Sequence, residues 1–81
     1  MDAKELYRTV KQQPFEPVRL FVSDGSHYDI HHPDQIIIAE RSCYIGIGRN
    51  GEGPVQEIAR VANIHITRLE PLRRQKTRRK S

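Results

Sequence analysis

A change of hydrophobic period at Pro14 constrains the fold of this chain more than any other feature. Before it, Leu6 and Val10 lie four residues apart, as on one face of a helix. Asp2 is a favourable N-cap, and the residue before a proline is pushed out of the helical conformation. The sequence therefore predicts one amphipathic helix over residues 2–13 that packs against the rest of the domain.

After Pro14 the apolar residues recur with a period of two, which is typical of β-strands. Asp24-Gly25 is a strong hairpin signal within this region. Residues 54–62 fit either a helix or a strand, and we expect a strand. The pattern predicts a mainly β, α+β domain over residues 1–72, in which four to six short antiparallel strands over residues 15–70 form a small barrel or strongly bent sheet.

Three consecutive isoleucines form a strand with apolar groups on both faces, and they are Ile36, Ile37 and Ile38. A chain of 81 residues is marginally stable alone and often gains stability by association. We therefore expect these isoleucines to contact the helix, a second copy of the chain or a subunit of a larger complex.

The charges divide the chain into an acidic body and a basic arm. All ten Asp and Glu residues and eight of the 14 Lys and Arg residues precede residue 73, so residues 1–72 carry a net charge of −2. The other six cations are Arg73, Arg74, Lys76, Arg78, Arg79 and Lys80. We expect residues 73–81 to form a disordered basic arm that binds the phosphates of RNA or DNA. The alternatives are a solubilising terminus or an arm that docks on an acidic protein surface.

A glycine motif in residues 46–51 matches the G-x-G-x-x-G spacing of dinucleotide-binding loops. Such a site also needs a long helix, a second parallel strand and a distant acidic residue, which this short chain lacks. Asn50-Gly51 is itself a turn signal, and glycine within a strand marks a bulge, a bend or a close approach. The motif predicts a bent strand that runs into a turn.

Catalytic and metal-binding patterns are weak in this sequence. The four histidines lack zinc-ligand spacing, and Cys43 is in phase with Ile45, which predicts a buried thiol. We therefore expect no enzyme activity, no metal site and no cofactor, although a Cys/His- or metal-dependent enzyme remains an alternative. The five aromatic residues indicate no stacking platform.

Location follows from two further features. A single cysteine is typical of a reducing, cytoplasmic environment. No apolar run approaches the roughly 18 residues of a membrane span, and the N-terminus has no apolar signal segment. We expect a cytoplasmic protein that does not contact membranes.

Two stretches, QQPFEPVRLFVSDGSHYDIHHPD and IHITRLEPL, resemble a group of short bacterial proteins without assigned function. This resemblance covers most of residues 13–72 and implies a shared fold. Asp34-Gln35 before the isoleucines, and His65 before Ile66-Thr67, also resemble the Sm-like RNA chaperones of the Hfq kind. That resemblance implies an SH3-like or Sm-like barrel that assembles into rings, with His65 near RNA.

Together these features predict a non-enzymatic accessory protein. Its basic arm binds nucleic acid, RNA in particular, while its barrel self-associates or docks a partner. The main alternative is a protein–protein adaptor or structural subunit with no direct nucleic-acid role.

Overall fold

The chain forms a helix followed by six strands within residues 1–48 and 54–72, which are the residues that the computed structural model describes. This confirms the mainly β, α+β prediction, including the strand expected within residues 54–62. The elements are α1 (Ala3–Val10), β1 (Val18–Val22), β2 (His27–Ile30), β3 (Ile36–Ile38), β4 (Ser42–Ile47), β5 (Glu57–Ala62) and β6 (Ile66–Pro71).

The described strands form two antiparallel sheets of three strands each. The first sheet has the order β2-β1-β6 and the second has the order β3-β4-β5. The chain crosses from the first sheet to the second at a 3-10 turn, Pro33–Gln35, and returns at a second one, Asn63–His65. No strand pairing among the described residues joins the two sheets, so the predicted barrel is not closed, and the strands form two separate sheets instead of the single bent sheet that was the alternative.

Helix α1 begins where the sequence predicts but ends three residues early. The Asp2 carboxylate accepts a hydrogen bond from the Glu5 amide at 2.8 Å, which caps the N-terminus. The helix ends at Val10, the last residue whose side chain reaches the core. Lys11 then leaves the helical conformation, and its ammonium group donates to the carbonyl oxygens of Pro33 and Ile36.

The core lies between the two sheets and under α1. Its members are almost all aliphatic and come from the helix and from all six described strands: Leu6, Val10, Val18, Leu20, Ile30, Ile36, Cys43, Ile45, Val61 and Ile66. The predicted burial of Cys43 is confirmed, because its side chain is inaccessible to solvent.

A bulge in β6 adjusts its hydrophobic pattern to the core. Phe21 pairs with Arg68, whereas the next residue, Val22, pairs with Ile66, so Thr67 is an extra residue in β6. The bulge lets Ile66 and the residue three positions later, Leu69, both face inward. Ile64, two residues before Ile66, lies in the 3-10 turn and is 83% exposed.

Asn63 fixes the second crossing between the sheets. Its buried side-chain amide donates to the carbonyl oxygens of Ala39 and Glu40, both at 3.1 Å. Its side-chain oxygen accepts the Cys43 thiol at 3.1 Å, and its backbone N–H donates to the Arg41 carbonyl at 2.8 Å. One residue therefore joins the β3–β4 turn, the start of β4 and the start of the β5–β6 crossing.

Gln35 has the corresponding position at the first crossing. Its amide nitrogen donates to the carbonyl oxygens of Asp29 in β2 and Gly46 in β4, at 2.9 and 3.0 Å. Its side-chain oxygen accepts the His31 amide at 2.7 Å. The side chain thus connects one sheet to the other through backbone groups.

Replacing Asn63 with alanine is expected to lower the free energy of unfolding by about 2–4 kcal/mol, because two carbonyl groups and a thiol lose their buried partner. Ile64→Ala is the matched control, since its exposed side chain is expected to matter by no more than about 0.5 kcal/mol. Urea unfolding followed by circular dichroism measures both. Equal stability of the two variants would contradict the role assigned to Asn63.

Candidate functional site

The basic arm lies outside the described residues, directly after Leu72. Strand β6 ends at Pro71 opposite Val18, and the Leu72 amide donates to the Pro17 carbonyl at 3.1 Å. Residue 73 therefore follows the end of the β2-β1-β6 sheet. The structure does not describe the positions of the six predicted phosphate-binding cations.

A row of three π-bearing side chains crosses the outer face of this same sheet. Strand register places His27 on one side of Phe21 and Arg68 on the other. The guanidinium carbon of Arg68 lies 3.8 Å from the centroid of the Phe21 ring, and the His27 ring centroid lies 6.2 Å from it at an interplanar angle of 48°. We call His27, Phe21 and Arg68 the π row.

Paired charges surround the π row. Arg68 Nε donates to the Glu70 carboxylate at 2.7 Å, and Arg19 contacts both Asp29 oxygens, at 2.7 and 3.2 Å. The hydrogen bond from Arg19 lowers the pKa of Asp29, and the same bond raises the pKa of Arg19. The Asp29 carboxylate is therefore ionised near neutral pH, and each of the two carboxylates on this face lies beside an arginine.

Register explains why no stacking platform is evident in the sequence. Phe21 is six residues from His27 and 47 from Arg68, and only the pairing of β1 with both neighbours brings the three together. The sequence holds one signal, since Phe21 is out of phase with the inward residues Val18 and Leu20. A large aromatic residue on the outer face of a strand is a candidate for binding.

His65 lies at the surface, in the 3-10 turn between β5 and β6. Its Nδ1 is 3.4 Å from the Ser23 hydroxyl, and its carbonyl accepts the Ser23 amide at 2.8 Å. Tyr28, Arg60 and His65 line a cleft of about 330 Å³. The π row does not include His65.

Cys43 provides no accessible nucleophile. Its thiol is buried and donates to Asn63, and burial raises the pKa of the thiol. The group is therefore protonated at neutral pH. Its side-chain partner is an amide oxygen and not a histidine that could act as a base.

We expect Cys43 to react with a thiol reagent such as Ellman's reagent far more slowly in the native protein than in urea, because reaction requires local opening and ionisation of the thiol. Stopped absorbance assays at pH 7 and pH 9 measure the rate. Fast, stoichiometric labelling of the native protein at pH 7 would show that the thiol is accessible and activated.

Three histidines line a cleft with a volume of about 500 Å³. They are His27, His31 and His32, and Gln35 closes the cleft from the side of β4. No group of three His, Cys, Asp or Glu side chains within residues 1–48 and 54–72 could hold a metal ion.

The described glycines of the G-x-G motif have steric roles. A Cβ atom on Gly46 would lie 2.6 Å from a Val55 methyl group, so the site requires glycine. Gly48 has a φ of 77° and follows β4 directly. These observations agree with the predicted bend and close approach, whereas Gly51 lies outside the described residues.

The three isoleucines of β3 have different environments. Ile36 belongs to the core, Ile38 packs against it, and Ile37 is 66% exposed. Ile37 pairs with Tyr44 on β4, and Ile58 on β5, which is 67% exposed, follows on the same outer face. Arg60 pairs with Tyr44 on this face, and we call Ile37, Tyr44 and Ile58 the apolar face of the second sheet.

Comparisons with protein-family models, curated proteins and solved structures give no match to this chain. The two family resemblances therefore remain predictions from the quoted motifs. Among the described residues, no helix has the length and apolar character needed to cross a membrane.

Proposed function

We propose that this protein is a non-enzymatic accessory protein that binds nucleic acid, RNA in particular, through its basic arm. The observation that supports this proposal is the uneven distribution of charge, with a net charge of +6 in residues 73–81 and −2 in residues 1–72. The residue before the arm is anchored to the folded domain, because β6 pairs with β1 and the Leu72 amide donates to the Pro17 carbonyl.

The physical basis is counterion release. A duplex carries a condensed layer of cations, and Lys or Arg side chains that contact its phosphates release them. Phosphate contacts of this kind add affinity and little sequence discrimination. Because the acidic body repels phosphates weakly, the proposal assigns most of the salt-dependent affinity to the arm.

Deleting residues 73–81 is expected to abolish salt-sensitive binding to RNA or DNA. For the full chain, log affinity for a duplex is expected to fall against log salt with a slope of about −5 if all six cations engage phosphates. Fluorescence anisotropy at several salt concentrations measures this slope.

Two controls make the deletion specific. An arm in which the six cations are replaced by glutamine keeps the chain length and is expected to behave like the deletion. Arg41→Gln removes one exposed cation from the body and is expected to leave the slope nearly unchanged. An unchanged slope in the deleted protein would refute the proposal.

A second candidate function is self-association through the apolar face, and exposure of that face favours it. Ile37 and Ile58 are both about two-thirds exposed on one face. Within the described residues β5 pairs only with β4, so its other edge can pair with β5 of a second copy. Such pairing would extend the sheet and bring two apolar faces together.

Ile58→Lys is expected to shift any dimer of the arm-deleted protein to monomer, because a buried lysine at the contact opposes association. Ile64→Lys is the matched control, since Ile64 is more exposed than Ile58 and lies in the 3-10 turn outside β5. Sedimentation velocity measures the mass. A monomeric parent protein at high concentration would exclude this contact.

A further inference from the structure

The π row has the features of a surface that stacks nucleic-acid bases. It lies on the outer face of a sheet and spans three strands, roughly 10 Å at the usual strand spacing. We propose that the outer face of the β2-β1-β6 sheet binds single-stranded nucleic acid, with a base stacked on the Arg68 guanidinium above Phe21. The inference deepens the proposed function and rests on it.

Arg68 is held in an orientation suited to stacking. Phe21 supports one face of the guanidinium at 3.8 Å, and Glu70 holds its Nε at 2.7 Å. The Arg68 side chain is 55% exposed, so its opposite side is available to a ligand. Guanidinium planes stack with bases as aromatic rings do, and an orientation that exists before binding reduces the entropy cost of ordering.

His27 extends the surface on the opposite side of Phe21. Its ring is exposed and is tilted by 48° relative to Phe21. A neighbouring base can therefore contact His27 while the first base lies over Arg68.

The charges of this face favour a base over a phosphate as the group that contacts it. Arg19 pairs with Asp29 and Arg68 pairs with Glu70, so the four groups have no net charge. Such a face gains little from the phosphates of a duplex, whose bases are stacked inside the helix. A single strand exposes its bases, and stacking on aromatic or guanidinium groups is its usual mode of recognition.

The arm is close enough to bind the same strand. Residue 73 is five positions after Arg68, a distance of about 17 Å along an extended chain. The nine residues 73–81 extend at most about 30 Å further. Phosphates next to a base bound at the π row are therefore within reach of the arm cations, and the two contacts act on one ligand.

The test compares strands that share phosphates but differ in bases. The probes are a single-stranded RNA of about 12 nucleotides, an abasic strand of equal length, the matching single-stranded DNA and the RNA duplex. Full-length protein is titrated with each by fluorescence anisotropy at several salt concentrations. Arg68→Lys keeps the charge but removes the planar group, and Phe21→Leu keeps an apolar side chain but removes the ring.

The second sheet offers matched controls. Tyr44 and Arg60 are also cross-strand neighbours on an outer face, but no cation–π contact joins them in the described structure. Arg60→Lys and Tyr44→Leu are expected to leave binding unchanged. Urea unfolding confirms that each variant is folded, and Arg68→Lys tests the inference if Phe21→Leu is unstable.

We expect the wild-type protein to prefer the base-containing strand over the abasic strand by about tenfold, in line with stacking of one base. Arg68→Lys and Phe21→Leu are expected to reduce this preference to less than about twofold at an unchanged salt slope. Affinity for the duplex is expected to be the same in all variants. A tenfold difference between RNA and DNA strands would assign the 2′-hydroxyl as a further contact.

Three other results have distinct meanings. Equal binding of the base-containing and abasic strands by the wild-type protein, with a steep salt slope, would overturn the stacking surface and leave the arm proposal intact. The absence of salt-sensitive binding to any strand would overturn both. A wild-type preference retained in Arg68→Lys would refute the role of Arg68.

Discussion

The arrangement of the two sheets depends on two amide side chains, the half-buried Gln35 and the buried Asn63, at the points where the chain changes sheet. Gln35 connects β2 to β4, and Asn63 connects the β3–β4 turn and β4 to the start of β6. Sheets of three short strands have few backbone bonds of their own, and the two sheets share no ladder within the described residues. An amide can donate two hydrogen bonds and accept others, so one side chain satisfies several turn carbonyls that would otherwise be buried without partners.

These crossings give the two sheets outer faces of different chemistry. With the core fixed between them, the first sheet presents paired charges and the π row, and the second presents the apolar face. The functional proposals follow this division. Contacts with bases belong to the face that adjoins the arm, whereas contacts with a second copy belong to the other face.

Several local features could be predicted from the sequence because each depends on neighbouring residues. The Asp2 cap, the Asp24-Gly25 hairpin and the buried phase of Cys43 are examples, and the structure contains all three. The helix end was predicted wrongly because Lys11 bonds to Pro33 and Ile36, which are distant in sequence. The Thr67 bulge and the burial of Asn63 were also not predicted, because each depends on residues distant in sequence. Pairing with β1 produces the bulge, and the Ala39 carbonyl accepts the Asn63 amide.

The sequence by itself determined the class of the domain, because the change of period at Pro14 and the turn residues act over a few positions. It also determined the charge division, which depends on composition alone. Only the tertiary structure decided that the two sheets remain unjoined in the described residues, that Ile37 is exposed while Ile36 is buried, and that Phe21 meets Arg68. The physical reason is register: pairing between distant strands sets which side chains become neighbours, and a shift of one residue would reverse the faces.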